Sequence, residues 1–383
     1  MKLTARTLRG LEWVAAAEIE RRLPDATSIR MAPREVTFEY PILDAALLQL
    51  QPVDDIFCVV STIDGVGSTK DAVADLASRM QRLDWEPVLA ELRSVRTIPD
   101  GFFFDVVASI DGAHRYNRFD VENAAGAALA PQLGGTHLAR TAEGFASADR
   151  PDLTVRVFVQ DGSAVVAVRL TAAPLHRRPY KQATGPGTLH PPAAAALATI
   201  AGVTSDDRVY DPFCGDGTIA IETALQHPGI VFGASDLDPV RVDNARQNAG
   251  RAGVDVDFRV ADAALISWQE VEPSVVLTNP PWNNAVHAAG GAAASLDAVW
   301  RAARPALRGG RLCVLADEKL GIPERLAGLG YRPSFTTLIR LNGRLTSLVV
   351  AGAGDGPGPE LAPELRAWHT AAHSGDGKVG FLA

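Results

Sequence analysis

The feature that most constrains the fold is a turn with two glycines between a short β-prone stretch and a helical one. Residues 207–210 are short and β-prone, and Asp211-Pro212-Phe213-Cys214-Gly215-Asp216-Gly217-Thr218 follows them. Residues 219–225 then have the apolar spacing of a helix. Glycine permits a sharp turn and a close approach of the backbone to a ligand, and a helix N-terminus offers unpaired N–H groups. This order predicts the first unit of a doubly wound α/β domain.

The turn alone leaves the bound ligand open. Its glycines and Ala220 fit the dinucleotide fingerprint, and Asp236 lies where an acid that binds ribose is expected. The carboxylate of Asp211, however, would repel a pyrophosphate and could meet a ligand cation. Residues 275–282 add a buried type of strand that ends in a rigid polar and aromatic tip. Both features argue against NAD.

Together these motifs resemble a known enzyme family. The turn, the acidic segment 235–239 and Asn279-Pro280-Pro281-Trp282 are similar to motifs of class I S-adenosylmethionine (SAM) methyltransferases that act on an exocyclic amine. The closer resemblance is to RNA guanine-N2 methyltransferases that carry a THUMP domain. That resemblance includes three further segments, residues 151–155, 174–180 and 193–196. It implies SAM as the cofactor and RNA, with tRNA expected, as the substrate.

The resemblance also implies where the cofactor binds. Asp211 would accept from the SAM amino group through water, and Asp236 would bind both ribose hydroxyls. Asp262 resembles the acid that accepts from adenine N6, although it and Asp238 could instead cap helices. Leu237 or Phe213 would pack on the adenine. The predicted cofactor-binding residues are Asp211, Phe213, Cys214, Gly215, Gly217, Thr218, Asp236, Leu237, Asp238, Asp262, Ala263 and Asn279.

The predicted catalytic residues are Asn279, Pro280, Pro281 and Trp282. An amine on a base is a poor nucleophile because its lone pair is delocalised into the ring. The Asn279 side-chain carbonyl and the Pro280 backbone carbonyl can each accept one N–H and aim the lone pair at the methyl group. The prolines keep the turn rigid, and Trp282 can stack on a flipped base. A structural proline turn with a packing tryptophan is the alternative.

This motif departs from the family pattern at its end. In the guanine-N2 family it usually ends in tyrosine and continues as Gly-x-Arg, whereas Trp282 is followed by Asn283-Asn284-Ala285. The missing arginine leaves the base and the nucleotide position open.

Charge gives mixed evidence on RNA binding. The formal net charge of −8 opposes it, because phosphate contacts favour a basic surface. Residues 169–181 nevertheless carry several cations and no acid, which suits either a docking strip or a solvated linker. Residues 115–119 interleave cations with aromatics, as nucleic-acid surfaces do, or as a capped helix start with core rings does. The predicted RNA-binding residues are Arg115, Arg118, Arg177, Arg178, Tyr180 and Lys181.

Other residue patterns exclude further classes. The three cysteines and eight histidines show no disulfide or metal-ligand spacing, so no metal site is predicted. There is no apolar run of about 18 residues that would suit a membrane span, and the N-terminus leads into no apolar signal-peptide region. We expect a cytoplasmic, monomeric protein without membrane association.

The expected fold class is α/β. Alternating strands and helices predict a Rossmann-like domain with a mostly parallel seven-stranded sheet and a terminal antiparallel hairpin. Two α+β units are expected before it. The predicted parts are a ferredoxin-like domain (1–64), a THUMP-like RNA-binding domain (65–170), a linker (171–192), the methyltransferase domain (193–352) and a flexible tail around one short helix (353–383).

The same motifs are compatible with other functions. Adenine-N6, rRNA guanine-N2 and protein-glutamine methyltransferases would share Asn-Pro-Pro-aromatic. A NAD-dependent oxidoreductase fits the glycine turn but lacks a placed His or Lys acid. A non-catalytic subunit that binds SAM and RNA would suit the acidic charge and the altered motif end.

Overall fold

The computed structural model describes residues 1–141, 144–145, 150–282, 296–356 and 358–373. Within these residues an eight-stranded sheet belongs to the N-terminal half and a seven-stranded sheet to the C-terminal half. No helix in the described part of the chain is both long and apolar enough to cross a membrane.

The N-terminal half mixes strands and helices along the chain. Its elements are β1 (Lys2–Arg6), α1 (Glu12–Arg22), β2 (Thr27–Ala32), β3 (Glu35–Glu39), a 3₁₀ turn (Ala45–Gln49), β4 (Asp55–Asp64), α2 (Asp71–Gln81), α3 (Glu86–Val95), β5 (Phe103–Ile110), α4 (Arg118–Leu133), β6 (Thr136–His137), β7 (Arg140–Thr141), β8 (Gly144–Phe145), β9 (Leu153–Gln160) and β10 (Ser163–Arg169).

The N-terminal sheet is continuous across the two predicted α+β units. Its strand order is β2-β3-β1-β4-β10-β9-β5-β6, and β4 pairs antiparallel with both β1 and β10. The predicted boundary at residue 64 therefore falls at the end of a strand that joins the two units. Along β9 the alternating residues Leu153, Val155, Val157 and Val159 are buried, as a half-buried strand requires.

The C-terminal half alternates strands and helices, as predicted. Its elements are α5 (Pro191–Ile200), β11 (Arg208–Asp211), α6 (Thr218–Gln226), β12 (Val231–Asp236), α7 (Pro239–Ala252), β13 (Asp257–Val260), a 3₁₀ turn (Ala263–Leu265), α8 (Trp268–Val271), β14 (Val275–Thr278), α9 (Leu296–Ala306), β15 (Arg311–Asp317), α10 (Ile322–Gly328), β16 (Arg332–Leu341), β17 (Arg344–Gly352) and α11 (Pro363–His373).

The C-terminal sheet has the order β13-β12-β11-β14-β15-β17-β16. Its first five strands are parallel, and the β16–β17 hairpin is antiparallel. All four residues of β14 are buried, because helices cover both faces of a parallel sheet. The predicted α/β class and Rossmann-like topology are confirmed. The carboxyl ends of β11, β12 and β14 meet at one edge, where open α/β sheets bind ligands.

Helix α1 connects the cores of the two halves. Ala15, Ala16 and Ile19 pack into the N-terminal core, while Trp13 and Val14 pack into the core beneath α5, α6 and α7. A helix buried on all sides is apolar around most of its circumference, and eight of the eleven α1 residues are buried. The two halves therefore share a packed interface through this helix.

The expectation of a flexible tail is wrong for the segment that forms α11. This helix lies against α1, with the rings of Trp13 and His369 4.9 Å apart and Trp368 Nε1 donating to Glu20 at 2.7 Å. Leu361 and Leu365 are buried in the C-terminal core. The segment thus has a core pattern that its Gly-Pro-rich approach obscured. Residues 374–383 lie outside the described residues.

Candidate active site

A cavity of about 740 Å³ lies at the edge where β11, β12 and β14 end. It brings together most of the residues predicted to bind the cofactor or the methyl acceptor. The predicted residues that line it are Phe213, Cys214, Gly215, Thr218, Asp236, Leu237, Asp238, Asp262, Ala263, Asn279, Pro280, Pro281 and Trp282. Of the residues predicted to bind the cofactor or to act in catalysis, Asp211 and Gly217 do not line it.

Asp211 lies buried behind the cavity wall, with 1% of its surface exposed. Its Oδ1 accepts from the Thr278 hydroxyl at 2.6 Å and from the Phe213 N–H at 3.0 Å. Its Oδ2 is buried without a hydrogen-bond partner among the described residues. Burial raises the pKa of Asp211 to about 7, because charge is disfavoured away from water. Asp211 therefore ties the ends of β11 and β14 together.

The two glycines of the turn have different roles. Gly215 has a φ of +51°, and its N–H donates to Asp236 Oδ2 at 2.9 Å. Gly217 has a φ of +81°, and a Cβ there would lie 2.9 Å from the Cβ of Ala245 on α7. Gly215 lines the cavity as predicted. Gly217 does not line the cavity, and its missing side chain allows α6 and α7 to pack closely.

Asp236 stands at the end of β12 with both oxygens engaged by the backbone. Oδ2 accepts from Gly215, and Oδ1 accepts from the Asp238 N–H at 3.0 Å. Since a carboxylate has about four acceptor sites, capacity remains for a ligand donor. Leu237 beside it is 42% exposed at the cavity, which provides an apolar surface for a flat ring.

Asp238 and Asp262 both cap a helical segment. Asp238 Oδ1 accepts from the Val240 N–H at 2.9 Å at the start of α7. Asp262 Oδ1 accepts from the Ala264 N–H at 3.0 Å and starts the second 3₁₀ turn. The capping interpretation holds for both residues, and both also line the cavity.

The Asn279-to-Trp282 segment forms the wall after β14. Asn279 Oδ1 and Trp282 Nε1 are buried, and neither atom has a hydrogen-bond partner among the described residues. An unpaired buried acceptor is costly to the free protein, so a ligand N–H that reaches Asn279 would bind it favourably. Trp282 packs against the cores on both faces of the sheet, which holds its ring at the cavity.

Sequence reasoning missed the part of the linker that covers the cavity. We name residues 186–190 the strap, and all five line the cavity. The strap is held through Asp216, whose Oδ2 accepts from the Gly185 N–H at 2.9 Å. Asp216 Oδ1 also lies 3.3 Å from Arg241 Nε. Asp216 stands between the two glycines of the turn. No local pattern indicates its contact with Gly185, which is 31 residues away.

The β16–β17 hairpin supplies a second unpredicted part of the wall. Leu341, Asn342 and Arg344 line the cavity at this turn. Arg344 Nη1 lies 3.4 Å from Asp317 Oδ2, and half of the Arg344 side chain is exposed. The cavity thus contains an arginine from the hairpin, although the segment after Trp282 lacks one.

Three residues predicted to contact RNA are engaged inside the protein. Arg178 forms a two-nitrogen pair with Glu222 at 3.0 Å, and Tyr180 donates to the same carboxylate at 2.7 Å. Lys181 Nζ donates to the Leu189 carbonyl in the strap, and burial lowers its pKa to about 8. Their prediction as RNA-binding residues is wrong, because the buried acid Glu222 and the strap take their polar groups.

The other three predicted RNA contacts are exposed. Arg115, Arg118 and Arg177 all lie on the surface. The Arg118 guanidinium covers the Phe119 ring at 4.6 Å, while Tyr116 is buried and donates to the Gly67 carbonyl at 3.0 Å. A capping box at Asn117 starts α4. The segment is thus a capped helix start that also presents two arginines to solvent.

Comparisons with known proteins support the methyltransferase assignment. Residues 178–334 match the family model UPF0020, described as an RMKL-like methyltransferase domain. The tRNA (guanine(6)-N2)-methyltransferase of Thermus thermophilus is 36% identical over 180 residues, which cover 46% of this chain and 51% of the relative. The corresponding enzyme of Archaeoglobus fulgidus is 24% identical over 377 residues, with 89% of each chain covered.

A solved structure extends the similarity along the chain. The crystal structure of TrmN from Thermus thermophilus aligns with a TM-score of 0.70 and 25% identity, over 92% of this chain and 99% of that chain. The chain spans about half the length of the first curated relatives that it matches.

The sheet order and the cavity at its carboxyl edge are those expected of a class I methyltransferase domain. Residues 178–334 are thus similar to an RMKL-like methyltransferase domain, in agreement with the predicted methyltransferase fold.

Proposed function

We propose that the protein transfers a methyl group from SAM to N2 of a guanine in tRNA. The observation that carries the proposal is the Asn279 Oδ1 atom, a buried acceptor without a partner among the described residues, in the same cavity as Asp236 and Leu237. The relatives named above as tRNA (guanine(6)-N2)-methyltransferases support guanine N2 and tRNA as the acceptor.

The cavity residues fit SAM. Asp236 has acceptor capacity for ribose hydroxyls, and the exposed face of Leu237 suits the adenine. Asp262, which also lines the cavity, would accept from adenine N6, as the resemblance implies. Asp211, behind the cavity wall, would hold the ends of β11 and β14 in place beside the ligand. Bound there, SAM supplies an electrophilic methyl group on a sulfonium.

The acceptor side uses Asn279 and the two prolines. The Asn279 side-chain carbonyl accepts one N–H of the exocyclic amine, and the Pro280 carbonyl accepts the other. These bonds draw the nitrogen toward tetrahedral geometry and direct its lone pair toward the methyl group. Thr278, bonded to Asp211 at 2.6 Å, fixes the strand end from which Asn279 projects. Such fixed acceptors stabilise the transition state without reorganisation.

The base would be held by Trp282 and by the hairpin. The indole of Trp282 offers a ring face for stacking, and Arg344 lines the same cavity. Arginine can donate two hydrogen bonds to O6 and N7 of guanine, which adenine cannot accept in the same way. In the proposal Arg344 thereby takes the place of the arginine that the motif lacks.

The N-terminal half would dock the RNA. Residues 65–170 remain our proposed THUMP-like domain, preceded by the ferredoxin-like unit 1–64. Arg115, Arg118 and Arg177 are exposed cations and are the proposed phosphate contacts. As a tRNA-modifying enzyme, the protein would act as a monomer in the cytoplasm.

Nucleoside analysis tests the proposed reaction. The full chain would be incubated with labelled SAM and, separately, with total tRNA, ribosomal RNA and double-stranded DNA. Digestion and mass spectrometry should find labelled N2-methylguanosine in the tRNA sample. Labelled N6-methyladenine, or label only in ribosomal RNA, would contradict the proposal. Calorimetry with SAM and NAD should give heat with SAM alone.

A further inference from the structure

Three side chains that can bind a metal meet where the two halves of the chain join. Asp54 precedes β4, His176 lies in the linker, and His190 is the residue before α5. One potential ligand atom from each residue lies within 4.8 Å of the others. These residues come from three separate segments, so no spacing in the sequence indicated them.

The hydrogen bond of His176 leaves its second ring nitrogen available for a ligand. His176 Nδ1 lies 3.2 Å from the Asp54 backbone carbonyl, and a carbonyl can only accept, so Nδ1 carries the proton and Nε2 keeps its lone pair. Histidine ligands usually have such a carbonyl partner on their second nitrogen. The rings of His176 and His190 stack at 5.2 Å.

The cluster contains a carboxylate oxygen that the protein leaves unsatisfied. Asp54 Oδ1 is buried without a hydrogen-bond partner among the described residues. His190 Nε2 lies 3.7 Å from Asp54 Oδ1, which is too long for a hydrogen bond. It is close to the separation of about 3.4 Å between two ligands of a tetrahedral zinc ion with bonds of about 2.1 Å.

Several charged groups surround the cluster, and two of the cations are paired with acids. Arg6 pairs with Glu35, Arg178 pairs with Glu222, and Lys181 donates to the Leu189 carbonyl. Arg34 and Asp55 also act on Asp54.

We propose that Asp54, His176 and His190 bind one divalent transition-metal ion of the Zn²⁺ type. Two imidazoles and a carboxylate are ligands that zinc accepts, with water completing a tetrahedral set. The inference is independent of the methyl-transfer reaction, since none of these residues is assigned a role in it.

The site would couple the N-terminal half to the active-site cavity. His190 is the last residue of the strap and lines the cavity. The backbone N–H of His176 donates to the backbone carbonyl of Asp54 at 2.9 Å. A bound ion would therefore fix the strap against the segment before β4. Metal removal is expected to loosen the cavity wall and the junction together.

Calorimetry of the tag-free full chain, stripped with a chelator and titrated with ZnCl₂, tests the site. We expect one Zn²⁺ per chain, and binding weaker by about 100-fold or more for His190→Ala and for Asp54→Asn, since loss of an outer-shell partner alone costs about 10- to 100-fold. His114→Ala, which changes a histidine outside the cluster, should bind like the wild type. No stoichiometric binding by the wild type, or equal binding by the cluster variants, would overturn the proposal.

Cobalt spectroscopy covers the case in which a variant folds poorly. Co²⁺-loaded wild type should show the visible absorption of a four- or five-coordinate ion with nitrogen and oxygen ligands. The His114→Ala control should show the same bands. An octahedral, weakly absorbing spectrum would overturn the site even if the cluster variants could not be purified.

Discussion

The guanidinium of Arg178 forms two 3.0 Å hydrogen bonds to the two carboxylate oxygens of Glu222. Glu222 lies on α6 and is fully buried, and Arg178 also donates to the carbonyls of Leu175 and Gln51. One side chain thus connects the linker, the methyltransferase domain and the N-terminal half. The pair belongs to the architecture of the junction rather than to an RNA surface.

The first prediction concerns the stability of this junction. Arg178→Ala should lower the free energy of unfolding by about 3–5 kcal/mol, because it leaves a buried carboxylate without its cation. Urea denaturation followed by circular dichroism measures the loss. Arg177→Ala removes the neighbouring exposed arginine and should change stability by less than about 0.5 kcal/mol. Equal stability of the two variants would contradict the assigned role.

The second prediction separates the same two arginines by RNA binding. If Arg177 contacts a phosphate, Arg177→Ala should lower the slope of log K against log salt concentration by about 0.7–0.9, the effect of one contact. Arg178→Lys, which keeps the charge inside, should leave that slope unchanged. Fluorescence anisotropy with labelled tRNA measures both slopes. An unchanged slope for Arg177→Ala would remove it from the proposed RNA contacts.

The sequence predicted those parts of the site that depend on neighbouring residues. The strand, turn and helix around Gly215 and the proline-rich end of β14 are local patterns, and parallel strands bring their carboxyl ends to one edge. That reasoning placed Asn279 and Asp236 in one cavity, as the structure shows.

Long-range partners could not be predicted from those patterns. Glu222 is 44 residues from Arg178, and the contact between Asp54 and His176 spans 122 residues. A run of cations without acids indicated a surface strip, but the compensating acids lie elsewhere in the chain. The burial of α11 against α1 was missed for the same reason, since its partner is at the other end of the chain.

The third prediction concerns α11. Leu365→Ala should cost about 2–4 kcal/mol of unfolding free energy, because the side chain is buried against the C-terminal core. Chemical denaturation measures it. Glu364→Ala on the exposed side of the same helix should cost less than about 0.5 kcal/mol. Similar small effects in both variants would mean that the helix does not pack as described.

The fourth prediction concerns the pH dependence of stability. Asp211 has a folded pKa of about 7, above the ordinary value of about 3.9 in an unfolded chain. At a pH between these two values the folded state therefore holds a proton that the unfolded state has released. The contribution of the protonated Asp211 to the free energy of unfolding is lost as the pH rises through about 7. The amide introduced by Asp211→Asn would stay neutral at every pH and keep an oxygen acceptor for Thr278.

The relative stability of this variant should consequently change with pH. The unfolding free energy of Asp211→Asn minus that of the wild type should rise between pH 5 and pH 8, by at most about 1.4 kcal/mol per pH unit. Other buried acids such as Asp54 are present in both proteins and cancel. Denaturation of both ligand-free proteins across this range measures it. Parallel stability curves would contradict the raised pKa.

The most direct test of the account is single-turnover transfer of labelled methyl to tRNA by Asn279→Ala at saturating SAM. Asn279 is proposed to act on the attacking amine, so its loss should slow transfer by about 100-fold or more while SAM affinity stays unchanged. Leu265→Ala, which alters an exposed side chain outside the cavity, should transfer at the wild-type rate. A wild-type rate for Asn279→Ala would contradict the account, and Asn279-Pro280-Pro281-Trp282 would then be a structural turn.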